Sequence, residues 1–306
     1  MKKILCVGIV VVDIVTELDH YPEEDSDNRC HKLWRQRGGN ASNNCTVLAI
    51  LGAKPYFCGT ISDSDEKKFI EEDFKNYGVD IGYSVVVEGT DCPRSCVLTS
   101  LSTGSRTIVH YNKNLRELKL EEFCSIDLSQ FSWINFEGRN VSEVKKMISV
   151  VRDYNKQVSK EERITISVEL EKAKEDVNDL ISLGDIVFLS KDYARFRGWN
   201  NMEEALSKVA ELTLPETTAI CAWGEKGAGA IVKPQKNVFT SSSFAPVHVV
   251  DTLGAGDTFI ASTILALSMG LSVEKSITFG CKVAGFKIGL RGWEEFREKI
   301  RRIRVS

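Results

Sequence analysis

The chain has 306 residues and a formal net charge of -3, so it lacks the basic excess that marks most nucleic-acid binders. That length accommodates one large α/β domain with an appendage, or two domains, with ample surface to bury in a core. Nine cysteines, odd in number, scattered and without a Cys-x-x-Cys pair, point to the thiols of a reducing cytoplasm rather than a disulfide framework or a zinc site.

At the N-terminus, Met1-Lys2-Lys3 and the apolar run 4–12 superficially resemble a secretion signal. Asp13 interrupts the run almost at once and no small-residue cleavage site follows, so 4–12 reads as a buried first strand, and it is far too short to cross a bilayer. Asp13 then stands at a strand end, where open α/β sheets gather ligands, with a carboxylate able to accept two sugar hydroxyls. Residues 14–36 break the rhythm and look antiparallel. Gly38-Gly39-Asn40-Ala41-Ser42-Asn43 opens a helix predicted over 41–51. Its glycines allow close backbone approach, and Asn40 and Asn43, three apart, project their amides from one face. Such amides donate and accept as polyol hydroxyls do, although Asn40 could equally be an N-cap with Asn43 merely solvated.

Further strands are predicted at 56–59, 133–137, 164–169, 185–190 and 218–222, alternating with helices at 65–77 and at 141–155 behind a capping Asn140. That alternation predicts a doubly wound, mainly parallel sheet with helices on both faces. Strand-like runs 95–100 and 106–111, joined by a turn at 102–105, form a second antiparallel patch, and together with 14–36 they suggest a small sheet covering a cleft. Ser241-Ser242-Ser243 is the one plausible soft linker. Asp251-Thr252-Leu253-Gly254-Ala255-Gly256-Asp257 precedes a helical run at 258–267. A helix start leaves backbone N–H groups without intrahelical partners and carries the positive end of the macrodipole, so it can seat a phosphate. Asp257 there reads as either an N-cap or a functional carboxylate. The closing crowd of Arg291, Arg297, Lys299, Arg301, Arg302 and Arg304 reads as a solvated helix face.

Taken together, the Gly-Gly-Asn-Ala-Ser-Asn and Asp-Thr-Leu-Gly-Ala-Gly-Asp segments, in this order and at this separation, resemble the two signatures of the ribokinase-like (PfkB) carbohydrate kinases. Within that family the likeness to animal members acting on ketohexoses is close. It runs through Trp34-Arg35-Gln36-Arg37, Gly104-Ser105-Arg106-Thr107-Ile108, Glu137-Gly138-Arg139-Asn140, Cys221-Ala222-Trp223 and Phe279-Gly280-Cys281-Lys282-Val283-Ala284-Gly285. The resemblance implies one kinase domain over 1–306, with a lid formed by about 14–36 and 94–111. It also implies ATP-dependent phosphorylation of D-fructose at the 1-hydroxyl. Asp257 would be the base and Gly254, Ala255 and Gly256 the anion hole. Asp13, Gly39, Asn40 and Asn43 would bind sugar, and Arg106 with the loop Gly224, Glu225, Lys226 and Gly227 would serve the nucleotide.

A base at a helix N-terminus is expected to be held ionised by the dipole. Magnesium would accompany ATP, with Asp192 of Leu189-Ser190-Lys191-Asp192 standing where the family carries an Asn-x-x-Glu segment, and potassium would lie near Asp251. The lid would pair with a second copy in a homodimer. No nucleic acid or membrane partner is implied. The alternatives are a ribokinase or adenosine-kinase-like member, or a catalytically silent binder, against which the intact Asp257 and glycines count. A P-loop kinase would need Gly-Lys-Ser/Thr, and a nicotinamide dehydrogenase a glycine-rich turn after the first strand, where only Gly8 stands.

Overall fold

The computed structural model describes residues 3–234 and 238–305, with side chains through 303, so Met1 and Lys2 of the signal-like start and the Arg304 side chain lie outside the described residues. The chain runs β1 (Lys3–Val7), β2 (Val11–Leu18), β3 (Lys32–Gly38), α1 (Asn40–Ile50), β4 (Pro55–Cys58), β5 (Thr60–Ser62), α2 (Glu66–Tyr77) and β6 (Val85–Val87). It continues through β7 (Arg94–Ser100), β8 (Arg106–Tyr111), α3 (Leu120–Phe123), β9 (Phe131–Glu137), α4 (Val141–Gln157), β10 (Thr165–Leu170), β11 (Ile186–Ser190), α5 (Lys191–Phe196) and α6 (Met202–Leu212). It ends with β12 (Thr218–Ala222), β13 (Ala228–Val232), β14 (Val238–Ser241), α7 (Ala255–Ser268), α8 (Val273–Ile288) and α9 (Gly292–Val305).

The main sheet has eight strands in the order β14-β13-β12-β11-β10-β9-β1-β4. Its six strands from β12 to β4 are parallel, as the alternating pattern requires. Period-two alternation sends Leu5 and Val7 of β1 to one face, against α3, α4, α5 and α6, and Ile4 and Cys6 to the other, against α1, α2, α7, α8 and α9. The last two strands on one side, β13 and the edge strand β14, escape the sequence reading because Ala228-Gly229-Ala230 is not a branched run. β13 follows β12 through a tight turn, which allows only antiparallel pairing. Ser241 closes β14, and the backbone of Ser243 and Phe244 packs on Gly285 of α8, so the serine triplet is part of the packed body rather than a soft linker.

Three further expectations are corrected. The run 4–12 is not one strand: Gly8 ends β1, because any Cβ there would overlap Glu137 and Ala41, and the chain re-forms as β2 in a second sheet. Asp13 therefore belongs to the small second sheet rather than to the end of the first core strand. Asn140 does not cap α4 with its side chain; it sits at φ 43° and donates 2.9 Å to the Leu118 carbonyl. The second sheet, expected as a lid and ordered β3-β2-β7-β8, is only partly antiparallel, because its central pair β2 and β7 runs parallel. Those two strands are separated by the α1–β6 excursion, the kind of crossover that parallel pairing needs.

Arg291, just ahead of α9, and Arg297 within it are not merely solvated: Arg291 pairs with Glu17 at 2.8 Å, and Arg297 bonds the Asn76 carbonyl at 2.9 Å and lies over the Tyr77 ring. No helix among the described residues is long and apolar enough to cross a membrane.

Candidate active site

Alternation in the lid directs Asp13, Val15, Ser95, Val97, Arg106, Ile108 and His110 toward one face, and that face roofs a cavity of about 440 Å³. The floor comes from strand ends and helix starts: Gly39, Asn40 and Asn43 of α1, Glu137 to Asn140 after β9, Glu171 and Lys172 after β10, and Leu253, Gly254, Gly256 and Asp257 at α7. The two glycine-bearing segments meet here. Asn43 Nδ2 donates to Asp257 Oδ2 at 2.7 Å across 214 residues of chain.

Local sterics explain the glycine pair. A Cβ on Gly38 would overlap the Asp13 carboxylate, and one on Gly39, at φ 93°, would strike the Ile9 carbonyl. Gly39 caps α1 and Asn40 is its first helical residue, with its amide turned to Glu171 Oε2. Behind this turn the fully buried Arg37 binds Asp73 at 2.7 Å, the Ser42 carbonyl at 3.0 Å and Thr46 Oγ1 at 2.6 Å, and stacks on Phe74. It fixes the entry of α1.

At α7 the N–H of Ala255 donates to the Thr252 carbonyl at 3.2 Å and that of Thr258 to Gly254 at 2.9 Å. Among the described residues around this turn, the backbone N–H groups of Gly254, Gly256 and Asp257 have no backbone partner while that of Ala255 is engaged, so the seat for an anion is narrower than the full Gly-Ala-Gly run. Gly254 supplies the left-handed cap, at φ 74°.

The charge state of Asp257 reverses the dipole expectation. Burial, then the Glu171 charge, lift its carboxyl to about 7, while the Asn43 hydrogen bond only partly opposes them. A carboxylate enclosed with other acids loses more from desolvation and repulsion than the helix dipole returns. Burial likewise lifts Asp13 to about 6 against a hydrogen bond from Ser95. Beneath them Glu169 is fully buried, accepts from Asn44 and Asn135, and is pushed well above the carboxylate range by desolvation first and by Asp257 second.

The remaining predicted positions are less concentrated. Arg106 lines the cavity and donates to Thr252 Oγ1 at 3.0 Å. The Gly224–Lys226 turn instead borders a separate hollow of about 320 Å³ lined by Met202, Trp223, Lys226 and Ser242, which shares no residue with the first. Glu225 pairs there with Lys191 at 2.8 Å. Asp192 stands exposed on α5 and is not among the residues lining either hollow. Around Asp251, the oxygens expected for potassium are held by Lys287 Nζ, which bonds Asp251 Oδ2 at 2.9 Å, the Asp251 carbonyl at 3.1 Å and the Leu253 carbonyl. Three acceptors already bonded to an ammonium group do not fit a second cation.

Comparison with known proteins decides the family, because residues 1–299 match the pfkB family carbohydrate kinase. The chain belongs to that family. Among pfkB relatives, ketohexokinase of Mus musculus is 44% identical over 293 residues, spanning 96% of this chain and 98% of that protein. A ribokinase of Arabidopsis thaliana is 23% identical, over 94% of this chain. In solved structures, a putative ribokinase from Agrobacterium tumefaciens superposes with a TM-score of 0.82 at 20% identity, over 100% of this chain and 99% of that one. The Arabidopsis thaliana ribokinase complexed with ribose and ATP superposes at 0.76 with 20% identity, over 99% and 98%. These two share the pfkB kinase fold.

Within this pfkB kinase the residues that sequence reasoning did not single out are Glu137, Glu169, Glu171 and Lys172. Glu137 Oε2 accepts from the Ile9 N–H at 3.0 Å, and Lys172 pairs with Glu171 at 3.0 Å. The signal was present as charge at the carboxyl ends of two predicted strands, where a parallel sheet otherwise buries apolar residues.

Proposed function

We propose that this pfkB kinase transfers the γ-phosphoryl group of ATP to the 1-hydroxyl of D-fructose, giving fructose 1-phosphate and ADP. The chemistry rests on the 2.7 Å contact between Asn43 and Asp257, and the choice of sugar on the likeness to mouse ketohexokinase. Asp13, Gly39, Asn40 and Asn43 hold the sugar beneath the lid. Its C1 oxygen attacks the γ-phosphorus, the bond to the β–γ bridging oxygen breaks, and the hydroxyl proton passes to Asp257. Gly254 and Ala255 shape the turn, while the N–H groups of Gly256 and Asp257 face the charge that spreads over the transferring oxygens. Arg106 reaches the nucleotide phosphates from the lid, and the Gly224–Gly227 turn lies at the nucleoside end.

Magnesium neutralises the ATP phosphates when bound. Among the described residues no cluster of three or more His, Cys, Asp or Glu is arranged to hold a bare metal, which fits an ion carried by phosphate and water. Glu171, a half-exposed carboxylate lining the cavity, takes the water-ordering role in place of Asp192. The outer lid face exposes Leu33 (66%), Val109 (62%) and Tyr111 (55%), and a second copy covers it in a homodimer. The nine free thiols suit a reducing cytoplasm.

An ADP-release assay over fructose, tagatose, ribose, glucose and adenosine, with the product phosphate located by NMR, tests the assignment. Fructose phosphorylated at C1 with the highest kcat/KM is the expected result. Ribose or adenosine turned over far better would overturn it.

A further inference from the structure

Lys287 lies in the last turn of α8, is 1% exposed, and among the described residues is the one buried ammonium that the sugar and nucleotide contacts above leave unused. All three of its donors are engaged, and all three acceptors belong to residues 251–253, directly ahead of Gly254. The same short segment is tied down from several sides. Asp251 Oδ2 also accepts from the Gly292 N–H at 2.9 Å, Asp251 Oδ1 from the Leu253 N–H at 2.9 Å, and the Val250 and Asp251 N–H groups both donate to the Ile288 carbonyl, at 2.8 and 3.1 Å. The Trp293 ring, 5.2 Å from Nζ, packs against Gly254 so closely that a Cβ on that glycine would overlap it. The ammonium therefore sits at the centre of a collar that sets where the first turn of α7 begins.

Paired carbonyls and a carboxylate aimed at one point make a cation cage, and here the cation is covalently part of the chain. We propose that Lys287 is the resident cation of the phosphoryl-binding turn, a positioning residue that takes the place of potassium at the Asp251 and Leu253 oxygens and holds the Gly256 and Asp257 N–H groups in register. This builds on the assignment of that turn to phosphoryl transfer. The cage itself can be read without any reaction.

The test is Lys287→Ala, which leaves the three oxygens facing a space that methylammonium or potassium can fill. With magnesium present and tetramethylammonium as the only monovalent cation, kcat is expected to fall by roughly tenfold to a hundredfold, the range that small misplacements of reacting groups produce, with the fructose KM moving much less. Methylammonium or potassium should restore most of the kcat and raise the melting temperature of the variant without sugar or nucleotide, and methylammonium should do neither to the wild type. Full kcat in Lys287→Ala without added cation overturns the proposal, as does a loss that no cation relieves. A potassium response of the wild-type melting temperature that disappears in Asp251→Asn also overturns it, because the cage would then hold a free ion. If Lys287→Ala folds only when methylammonium is present, that dependence supports the proposal. If it folds under neither condition, Lys287→Met combined with Asp251→Asn removes both charges; a lowered kcat in that folded pair supports the proposal and wild-type kcat overturns it. The melting arm needs no substrate, so it stands apart from the fructose assignment.

Discussion

Replacing Asp257 with Asn should slow the reaction and stabilise the fold at the same time. The ordinary carboxyl value of 3.8 is lifted to about 7 at this site, a displacement worth about 4 kcal/mol against the ionised form. Solvent in the open cavity screens part of this, so about 2 kcal/mol is the working figure. For a carboxylate whose folded value lies above its unfolded one, the folded state holds the extra proton between the two. The cost is therefore absent below about pH 4, grows through the window, and is complete above about pH 7. Asn carries no charge at any pH. At pH 8 Asp257→Asn should thus melt about 4 °C above the wild type, with the gap closing toward pH 5. Turnover with ATP and fructose should fall by roughly 10² to 10⁴, the usual worth of a general base. Wild-type kcat/KM should in turn drop about tenfold per pH unit below about 7, as the base takes up its proton. Scanning calorimetry from pH 5 to 8.5 and coupled ADP release measure the three quantities. A variant no more stable at pH 8 than at pH 5 relative to wild type, or one with near-normal turnover, would refute the reasoning.

Gly38→Ala should raise the fructose KM by roughly tenfold or more with a smaller effect on ATP, since the new methyl displaces the Asp13 carboxylate; steady-state kinetics with each substrate varied will read it. Asn43→Ala removes a hydrogen bond that holds the Asp257 value down, so the acidic limb of the kcat/KM profile should move to higher pH, and a profile that stays put contradicts the cause assigned here. Glu171→Gln should move that limb the opposite way, by roughly one pH unit, because the larger of the two neighbouring acid contributions is gone. Val109→Glu on the outer lid face should convert a dimer to a monomer in sedimentation velocity at micromolar concentration.

Much of the fold was legible because its cause is local. The strand at 218–222 coincides with β12, and the helix predicted at 65–77 coincides with α2 to one residue, since branched runs and a stop at Gly78 announce them. The sheet edge was not, because β13 is held by its position after a tight turn rather than by its composition. In the site, Asn43 and Asp257 could be found from their helix starts, yet the sign of the Asp257 shift could not. It depends first on burial and then on Glu171, which arrives from another strand end, and no spacing along the chain encodes either. Lys287 is a similar case. On sequence it is one of two lysines near the end of α8; only the return of residues 251–253 to that helix gives it three oxygens.

The parallel pairing of β2 with β7 constrains how such a lid can be altered. Its two halves enter from points separated by α1, α2 and the three short strands β4, β5 and β6, and Val12 to Leu18 are registered one for one with Arg94 to Ser100. A roof woven from two separate stretches of chain cannot be transplanted as a single cassette. Exchanging either stretch alone for that of another kinase would break the hydrogen-bond ladder down its middle, so new specificities carried by the roof have to be acquired on both stretches in step.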